Sequence, residues 1–268
     1  MNLPDLSRYR QRSFSVEAVV LRHSDWGEAD RLLGLYSLEL GKVRALAKGV
    51  RKLRSRKAGH LEPFTQARLL LARGRDFPLV TQAETINAYL PLREDLGGAT
   101  YASYVVELLD RFTYEEGENR ALYDLLVNTL TRLCEFPDRD LTLRYYELRL
   151  LDLVGFRPQL FQCVHCLKEI QPVDQYFSAR LGGVLCPDCG AQIEGAQPIS
   201  MQALKYLRHF QRSSFAEACR ARIPPRLHRE IESLMQHYLS YQLERGLNTP
   251  AFLRRLRKEA VDPGNSTN

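Results

Sequence analysis

Residues 14–48 read FSVEAVVLRHSDWGEADRLLGLYSLELGKVRALAK. From Phe14 to Val20 apolar side chains alternate with others, which is the period of a half-buried β-strand. After a polar loop, His23–Glu28, two further strands are predicted over Arg31–Ser37 and Lys42–Lys48. Gly34 stands inside the second strand, where a sharply bent barrel strand would use a glycine.

Two more strands, Phe64–Ala72 and Leu79–Ala88, bring the total to five before residue 90. Five short strands with glycine turns are typical of a small barrel, and the OB-fold is the obvious candidate. Strand alternation then predicts that Tyr36 and Phe64 lie in the barrel core.

The hydrophobic period changes after Gly97 to three or four residues, which indicates amphipathic helices. Residues 141–154 are apolar on nearly every face and predict a buried central helix that ends at Gly155 and Pro158. We therefore predict an α+β multidomain protein in which an N-terminal OB-fold β-barrel precedes an α-helical domain with an inserted four-cysteine zinc finger. The predicted ranges are 1–89 for the barrel, with a mobile arm at 1–12, 90–260 for the helical domain, with the finger at 161–192, and 261–268 for a disordered tail.

Charge is segregated along the chain. Residues 1–89 contain 16 Lys or Arg against 9 Asp or Glu, residues 90–195 contain 10 against 17, and residues 196–268 contain 12 against 6. This pattern indicates separate surfaces for separate partners. No apolar run approaches the ~20 residues of a membrane-spanning helix, and the N-terminus has no apolar signal core. We therefore predict a cytoplasmic protein with no membrane partner.

Two Cys-x-x-Cys pairs are the strongest chemical signal, formed by Cys163, Cys166, Cys186 and Cys189. Their spacing matches a zinc site in which each pair supplies two thiolates from one tight turn, and Tyr176–Leu185 is predicted to form a hairpin that brings the pairs together. Disulfides are rare in cytoplasmic proteins, and neither pair has the strand-to-helix context of a redox motif. Because four cysteines close the coordination shell, we predict one structural Zn²⁺ per chain, with His165 exposed on the turn.

A dense run of cations begins on the third predicted strand. Between residues 42 and 57 eight of sixteen residues are Lys or Arg, and none is acidic. The face of strands 2 and 3 of an OB barrel and its adjoining loops bind oligonucleotides, and closely spaced cations follow a phosphate backbone without reading sequence. The predicted nucleic-acid-binding residues are Lys42, Arg44, Lys48, Arg51, Lys52, Arg54, Arg56 and Lys57. Trp26, in the polar loop, either stacks on a base or caps the barrel.

Recognisable catalytic motifs are absent from the sequence. It contains no phosphate-binding P-loop, no G-x-G-x-x-G, no H-E-x-x-H and no G-x-S-x-G. Nothing in the residue pattern argues for catalysis, so we predict a nucleic-acid-binding protein that is not an enzyme.

Several short stretches of the barrel segment resemble a known family. The most specific are GEADRL (27–32), GK (41–42), AKGVRK (47–52), SR (55–56) and LEPF (61–64). With the order of basic barrel, helical domain and paired cysteines, they resemble the bacterial DNA repair and recombination mediator family RecO over nearly the whole chain. The cysteines occur in only part of that family.

The resemblance implies a mediator of DNA repair and homologous recombination. Such a protein binds single- and double-stranded DNA, anneals complementary strands and, with RecR, helps load RecA onto DNA coated by the single-strand-binding protein SSB. The resemblance also implies a nucleoid-associated location in the cytoplasm. The acidic, hydrophobic C-terminal tail of SSB needs an apolar pocket edged by cations. We expect this receptor in the helical region, near some of Arg132, Arg139, Arg208, Arg212, Arg220 and Arg222.

Two other functional classes are compatible with the residues alone. A zinc-containing RNA-binding or transcription factor would bind RNA as well as it binds DNA, or would show a marked sequence preference. A nuclease with an unrecognised acidic centre would cleave DNA in the presence of a divalent metal ion.

Overall fold

The computed structural model describes residues 13–114, 117–243 and 249. These residues divide into two units, with the division between Glu135 and Phe136. The predicted arm at 1–12 and the predicted tail at 261–268 lie outside the described residues. Among the helices in this described part of the chain, none is long and apolar enough to cross a membrane.

Five strands close into a barrel in the first unit. The strands are β1 (Ser13–Trp26), β2 (Asp30–Ser37), β3 (Gly41–Ala47), β4 (Gln66–Ala72) and β5 (Leu79–Asn87). Their order is β1-β2-β3-β5-β4, and β1 pairs with β4 as well as with β2, so the sheet closes on itself. β3 and β5 are parallel and pair at Leu46 and Leu79. The predicted OB-type barrel is confirmed.

The first strand is longer than its side-chain pattern predicts. Residues 23–26, predicted as part of a polar loop, continue β1 as far as Trp26 and pair with β2. Backbone hydrogen bonds hold this extension, and they do not depend on the polarity of the side chains.

Gly34, where a sharp bend of the second strand is predicted, lies opposite an irregularity in β1. The pairing of β1 with β2 shifts register between Val20 and Arg22, which is a bulge that bends the strand. Arg22 lies opposite Gly34, and a Cβ on that glycine would lie 3.1 Å from the Arg22 side chain. Glycine therefore leaves room for the arginine where the barrel wall turns.

Alternate residues of the strands fill the barrel. Leu33, Leu35 and Val43 are fully buried and belong to one core cluster. Tyr36 is also buried but is outside that cluster, because alternation places it on the opposite face of β2 from Leu35. Burial on this outer face raises the pKa of Tyr36 to about 12. Phe64 is likewise buried, so the predicted burial of both aromatics is confirmed, whereas the predicted place of Tyr36 inside the barrel is wrong.

Three helices complete the first unit: α1 (Leu90–Arg93), α2 (Leu96–Phe112) and α3 (Arg120–Glu135). Asp95 caps α2 by accepting the N–H groups of Gly97 and Gly98. A polar network ties α3 to the barrel, since the Glu17 carboxylate accepts hydrogen bonds from the Tyr123 hydroxyl and the Gln66 amide, each at 2.9 Å.

The second unit combines helices with a small three-stranded sheet. The helices are α4 (Arg139–Leu153), α5 (Pro187–Gly190), α6 (Met201–Arg212), α7 (Phe215–Ala218) and α8 (Pro225–Gln242). The strands are β6 (Gln175–Ser178), β7 (Gly183–Leu185) and β8 (Gln197–Ile199), in the order β7-β6-β8.

The helix α4 is the predicted buried helix of this unit. It packs against α6 and α8, and even its charged residues Arg144 and Glu147 are buried, 2.8 Å apart in an ion pair. Gly155 follows the helix with a φ of +84°, a left-handed conformation that favours glycine. The predicted end of the helix is thus confirmed to within two residues.

Candidate metal centre and nucleic-acid interface

The four cysteines of the predicted zinc site come together in the second unit. Their sulfur atoms all lie within 4.8 Å of one another, and the Sγ atoms of Cys166 and Cys186 are 3.8 Å apart. All four are thiols rather than disulfides. His165 is exposed on the turn between the first two cysteines, and it is not a member of the group.

A small hairpin returns the second cysteine pair to the first. β6 and β7 pair antiparallel, as predicted, and β7 ends one residue before Cys186. The chain that leads into Cys163 lies along β7, where the Gln159 carbonyl accepts the Val184 N–H at 2.8 Å. Gly183 permits this approach, because a Cβ there would lie 2.5 Å from the Gln159 carbonyl oxygen.

Hydrogen bonds shift the pKa values of two of the four thiols in opposite directions, since the hydrogen bond with the Cys186 side chain raises the pKa of Cys189 to about 12. Burial raises the pKa of the Cys163 thiol, but backbone N–H groups of Cys166, Cys186 and His165 donate to its sulfur, and the net pKa falls to about 6. The thiolate is the form that binds metal ions. Four thiolates form the soft, closed donor set of structural zinc sites, with no position left for a catalytic water. The residues therefore fit a metal ion such as zinc.

The predicted phosphate-binding cations divide between β3 and the loop after it. Lys42 and Arg44 lie on β3, and the other six belong to residues 48–57, which we call the basic loop. The base of this loop is held near the β1–β2 turn, since Asp30 Oδ1 accepts the Gly49 N–H at 2.7 Å.

Lys42 serves the packing of the first unit. Its ammonium group lies 2.8 Å from Asp110 Oδ1 and also donates to the main-chain carbonyls of Asp110 and Thr113 at the end of α2. A cation in this position satisfies carbonyls that lack helical partners and offsets the negative end of the helix dipole. We therefore leave Lys42 out of the interface proposed below.

Two cations of the basic loop stabilise the loop itself. The Arg51 guanidinium lies 3.2 Å from the Asp25 carboxylate, and the Arg51 N–H donates to the Ala29 carbonyl at 2.9 Å. Lys57 donates to the Val80 carbonyl at 2.7 Å, and burial lowers the pKa of its ammonium group. Both ends of the loop are thus fastened to the barrel.

The remaining cations of the loop point into solvent. Their side chains make no ion pair with any residue that the structure describes, and all four are exposed: Lys48, Lys52, Arg54 and Arg56. Uncompensated, closely spaced cations are the groups that release counterions when they bind a phosphate backbone.

An aromatic cluster lies at the same end of the barrel. Trp26, at the end of β1, is 48% exposed and makes an edge-to-face contact with Phe77, with the ring centroids 6.0 Å apart. The Arg44 guanidinium lies over the Phe77 ring, 5.2 Å from its centroid. Trp26 therefore caps Phe77 on one side and keeps half of its surface accessible to a base.

Sequence reasoning missed Phe77. The residue lies in the turn between β4 and β5, where the Leu46 N–H donates to the Pro78 carbonyl at 2.8 Å. A Cβ on Gly74 would lie 1.9 Å from the Phe77 carbonyl oxygen, so only glycine allows this tight turn. Phe77 could have been found from the sequence, because it lies in the β4–β5 loop, which is one of the binding loops of an OB barrel.

Comparisons with known proteins agree with this architecture. Residues 12–89 match the family profile described as Recombination protein O N terminal, and residues 93–251 match that described as Recombination protein O C terminal. The chain is similar to a DNA repair protein RecO of Roseiflexus sp. (strain RS-1), with 43% identity over 249 residues that cover 93% of this chain and 88% of that protein.

Two further relatives show a comparable likeness. The DNA repair protein RecO of Pelotomaculum thermopropionicum is 37% identical over 252 residues, covering 94% of this chain and 97% of the relative. That of Dehalococcoides mccartyi (strain CBDB1) is 35% identical over 249 residues, covering 92% of this chain and 98% of the relative. The similarity therefore spans both units.

The metal centre yields a testable prediction. In Cys186→Ser the set of four thiolates loses one member, so the bound zinc should fall well below one ion per chain. The free energy of unfolding should drop by more than about 3 kcal/mol, because loss of a structural metal is among the most damaging single changes. Metal analysis and chemical denaturation measure the two effects.

Cys219→Ser is the matched control for this experiment. Cys219 is a half-buried thiol that contacts only the Ala216 carbonyl of its own turn at 3.3 Å, among the hydrogen bonds of the described residues. It should leave the zinc content unchanged. Wild-type protein that holds no zinc when purified without chelators would contradict the prediction.

Proposed function

The chain belongs to the RecO family of DNA repair proteins, and on that premise we propose that it is a mediator of homologous recombination. In this proposal it binds single- and double-stranded DNA, anneals complementary strands and, with RecR, helps load RecA onto DNA coated by SSB. It acts as a binding protein and not as an enzyme, in the cytoplasm and associated with the nucleoid.

One observation carries the proposal. Exposed cations of the basic loop and an aromatic pair lie at the same end of a closed OB barrel, held there by hydrogen bonds between the turns. Phosphate contacts supply affinity that does not depend on sequence, and an accessible indole supplies a stacking surface for any base. The preference for DNA over RNA follows from family membership, and the RNA-binding alternative therefore ranks second.

The proposed interface comprises the aromatic cluster and seven of the eight predicted cations. The exposed cations contact phosphates, Arg51 and Lys57 hold the loop in place, and Arg44 positions Phe77. Trp26 stacks on a base of a single strand. The metal is one Zn²⁺ per chain with a structural role, which supports the second unit and takes no part in chemistry.

A cleft in the second unit suits the acidic tail of SSB. It has a volume of about 450 Å³ and lies between α6 and the start of α8, lined by Gln202, Lys205, Tyr206, His209, Pro224 and Leu227. Lys205 belongs to this lining, and the Tyr206 hydroxyl donates to the Arg222 carbonyl at 2.7 Å, which brings the main chain of Arg222 next to the cleft. A cleft that combines apolar residues with nearby cations can bury a terminal aromatic and pair with carboxylates.

Three of the other arginines predicted for this receptor are placed elsewhere or have other contacts. Arg208 donates to the Leu160 carbonyl at 2.7 Å and lies over the Phe161 ring, and Arg212 stacks on the same ring at 3.7 Å. Arg132 belongs to α3 of the first unit. The cleft therefore favours Lys205 and Arg222 as the cations that face the tail.

Replacing the four exposed cations of the basic loop should weaken DNA binding and strand annealing together. In the variant with Lys48, Lys52, Arg54 and Arg56 changed to Ala, the slope of log affinity against log salt on single strands should shrink by about 1.4 to 2.8, at roughly 0.7 per lost phosphate contact. Annealing of complementary strands, bare or coated with SSB, should slow in parallel. Salt titration and a fluorescence annealing assay measure these effects.

The control for this variant replaces four exposed cations of the second unit, Lys168, Arg180, Arg226 and Arg229. It removes the same net charge and should leave the slope nearly unchanged. An unchanged slope in the loop variant, or an equal loss in the control, would place the DNA-binding surface outside the barrel.

Trp26 is the single tryptophan of the chain, so its emission reports on the proposed stacking site. Single-stranded DNA should quench this emission, whereas an abasic strand of equal length should bind without quenching it. Trp26→Ala should weaken single-strand binding by about 1–3 kcal/mol, which is the contribution of one stacked base. Equal quenching by both strands would show that the indole only caps the barrel.

Charge reversal at the cleft should disrupt binding of the SSB tail. We expect Lys205→Glu combined with Arg222→Glu to weaken binding of a labelled tail peptide to the full chain by at least about fivefold, since each partly exposed pair contributes up to roughly 1 kcal/mol. Arg229→Glu on the exposed side of α8 should have little effect. Fluorescence anisotropy measures the affinities, and equal losses in the two variants would refute this placement of the receptor.

A further inference from the structure

The tip of the basic loop carries an apolar side chain that phosphate binding leaves unexplained. Leu53 stands between Lys52 and Arg54, and its relative exposure of 106% is the highest among the exposed large hydrophobic side chains of the described residues. A single exposed leucine is ordinary on a protein surface. Whether Leu53 has a function depends on the conformation of the turn that carries it and on the residues around it.

Leu53 sits in a defined turn. The Lys52 carbonyl accepts the Ser55 N–H at 2.9 Å, so Leu53 and Arg54 are the two central residues of a four-residue turn. A second hydrogen bond, from Lys52 N–H to the Gly49 carbonyl at 3.2 Å, braces the turn against the anchored base of the loop. The leucine is therefore held outward at a set position.

The neighbours of Leu53 specify the chemistry of its partner. Exposed cations precede and follow it in the chain, and the sixteen residues 42–57 contain no acid. Phosphate oxygens suit Lys52 and Arg54 but offer nothing to an isobutyl group. The largest apolar surface that a nucleic acid offers near its phosphates is the face of a base.

We propose that Leu53 is a wedge that inserts between two adjacent base pairs of duplex DNA and unstacks that step, while Lys52 and Arg54 hold the phosphates on either side. Leucine is one of the residues that minor-groove proteins insert in this way, and the opened step kinks the duplex. The inference rests on the proposed function and adds to it, because it assigns an apolar contact to a loop otherwise described by charge. Opening a step within a bound duplex would also help strands to exchange or pair.

The test uses the full chain and a duplex that contains 2-aminopurine, an adenine analogue whose fluorescence rises when it is unstacked. Wild-type protein should bind this duplex and raise the emission. Leu53→Gln keeps the size and charge of the loop nearly constant and should abolish the rise. It should also weaken duplex binding by about tenfold, near the lower end expected for loss of one buried leucine contact. Its salt slope should equal that of wild type.

Lys52→Gln is the matched variant, since it removes a charge from the same turn and keeps the wedge. It should lower the salt slope on duplex by about 0.9 and preserve the rise in emission per bound protein. Wild-type binding without any rise, or a rise that persists in Leu53→Gln, would overturn the wedge and leave DNA binding intact. Absence of duplex binding by the wild type would overturn the proposed function as well.

Discussion

Closure of the barrel by β1 is the constraint on which the first unit depends. Residues 13–19 of this strand pair with β4 and residues 18–26 pair with β2, so one strand joins both neighbours. Closure brings the β1–β2 turn, the basic loop and the β4–β5 turn to one rim. Hydrogen bonds from Arg51 N–H to the Ala29 carbonyl and from Leu46 N–H to the Pro78 carbonyl then fix the three relative to one another.

The basic run at residues 42–57 contains both cations that hold the fold and cations that face solvent. Lys42 and Lys57 donate to main-chain carbonyls, where a buried acceptor without a partner would be costly. The four exposed cations have no such task within the described residues. In the proposed interface, salt-dependent binding is therefore expected from the exposed cations of the loop, whereas the packing of the loop depends on Lys57 and on main-chain groups.

The second unit reaches its stability by different means. Its helix α4 buries the ion pair of Arg144 and Glu147, and removal of one partner from such a pair leaves an uncompensated charge in the interior. The cysteine centre instead joins two short turns and a three-stranded sheet that are too small to form a core of their own. A metal ion at this centre would stabilise the segment locally and would need no residue of the barrel.

Much of the architecture follows from the sequence alone, because strand and helix periods and the spacing of cysteine pairs are local properties. The five strands, the buried helix and the grouping of the four cysteines were all predictable on that basis. The tertiary structure decided which side chains of the basic run face solvent, that Tyr36 is buried outside the barrel, and that Phe77 meets Trp26. These outcomes depend on barrel closure, which brings together residues that are far apart in the chain. The residues that flank a position in the chain do not indicate which side chains lie opposite it in the closed barrel.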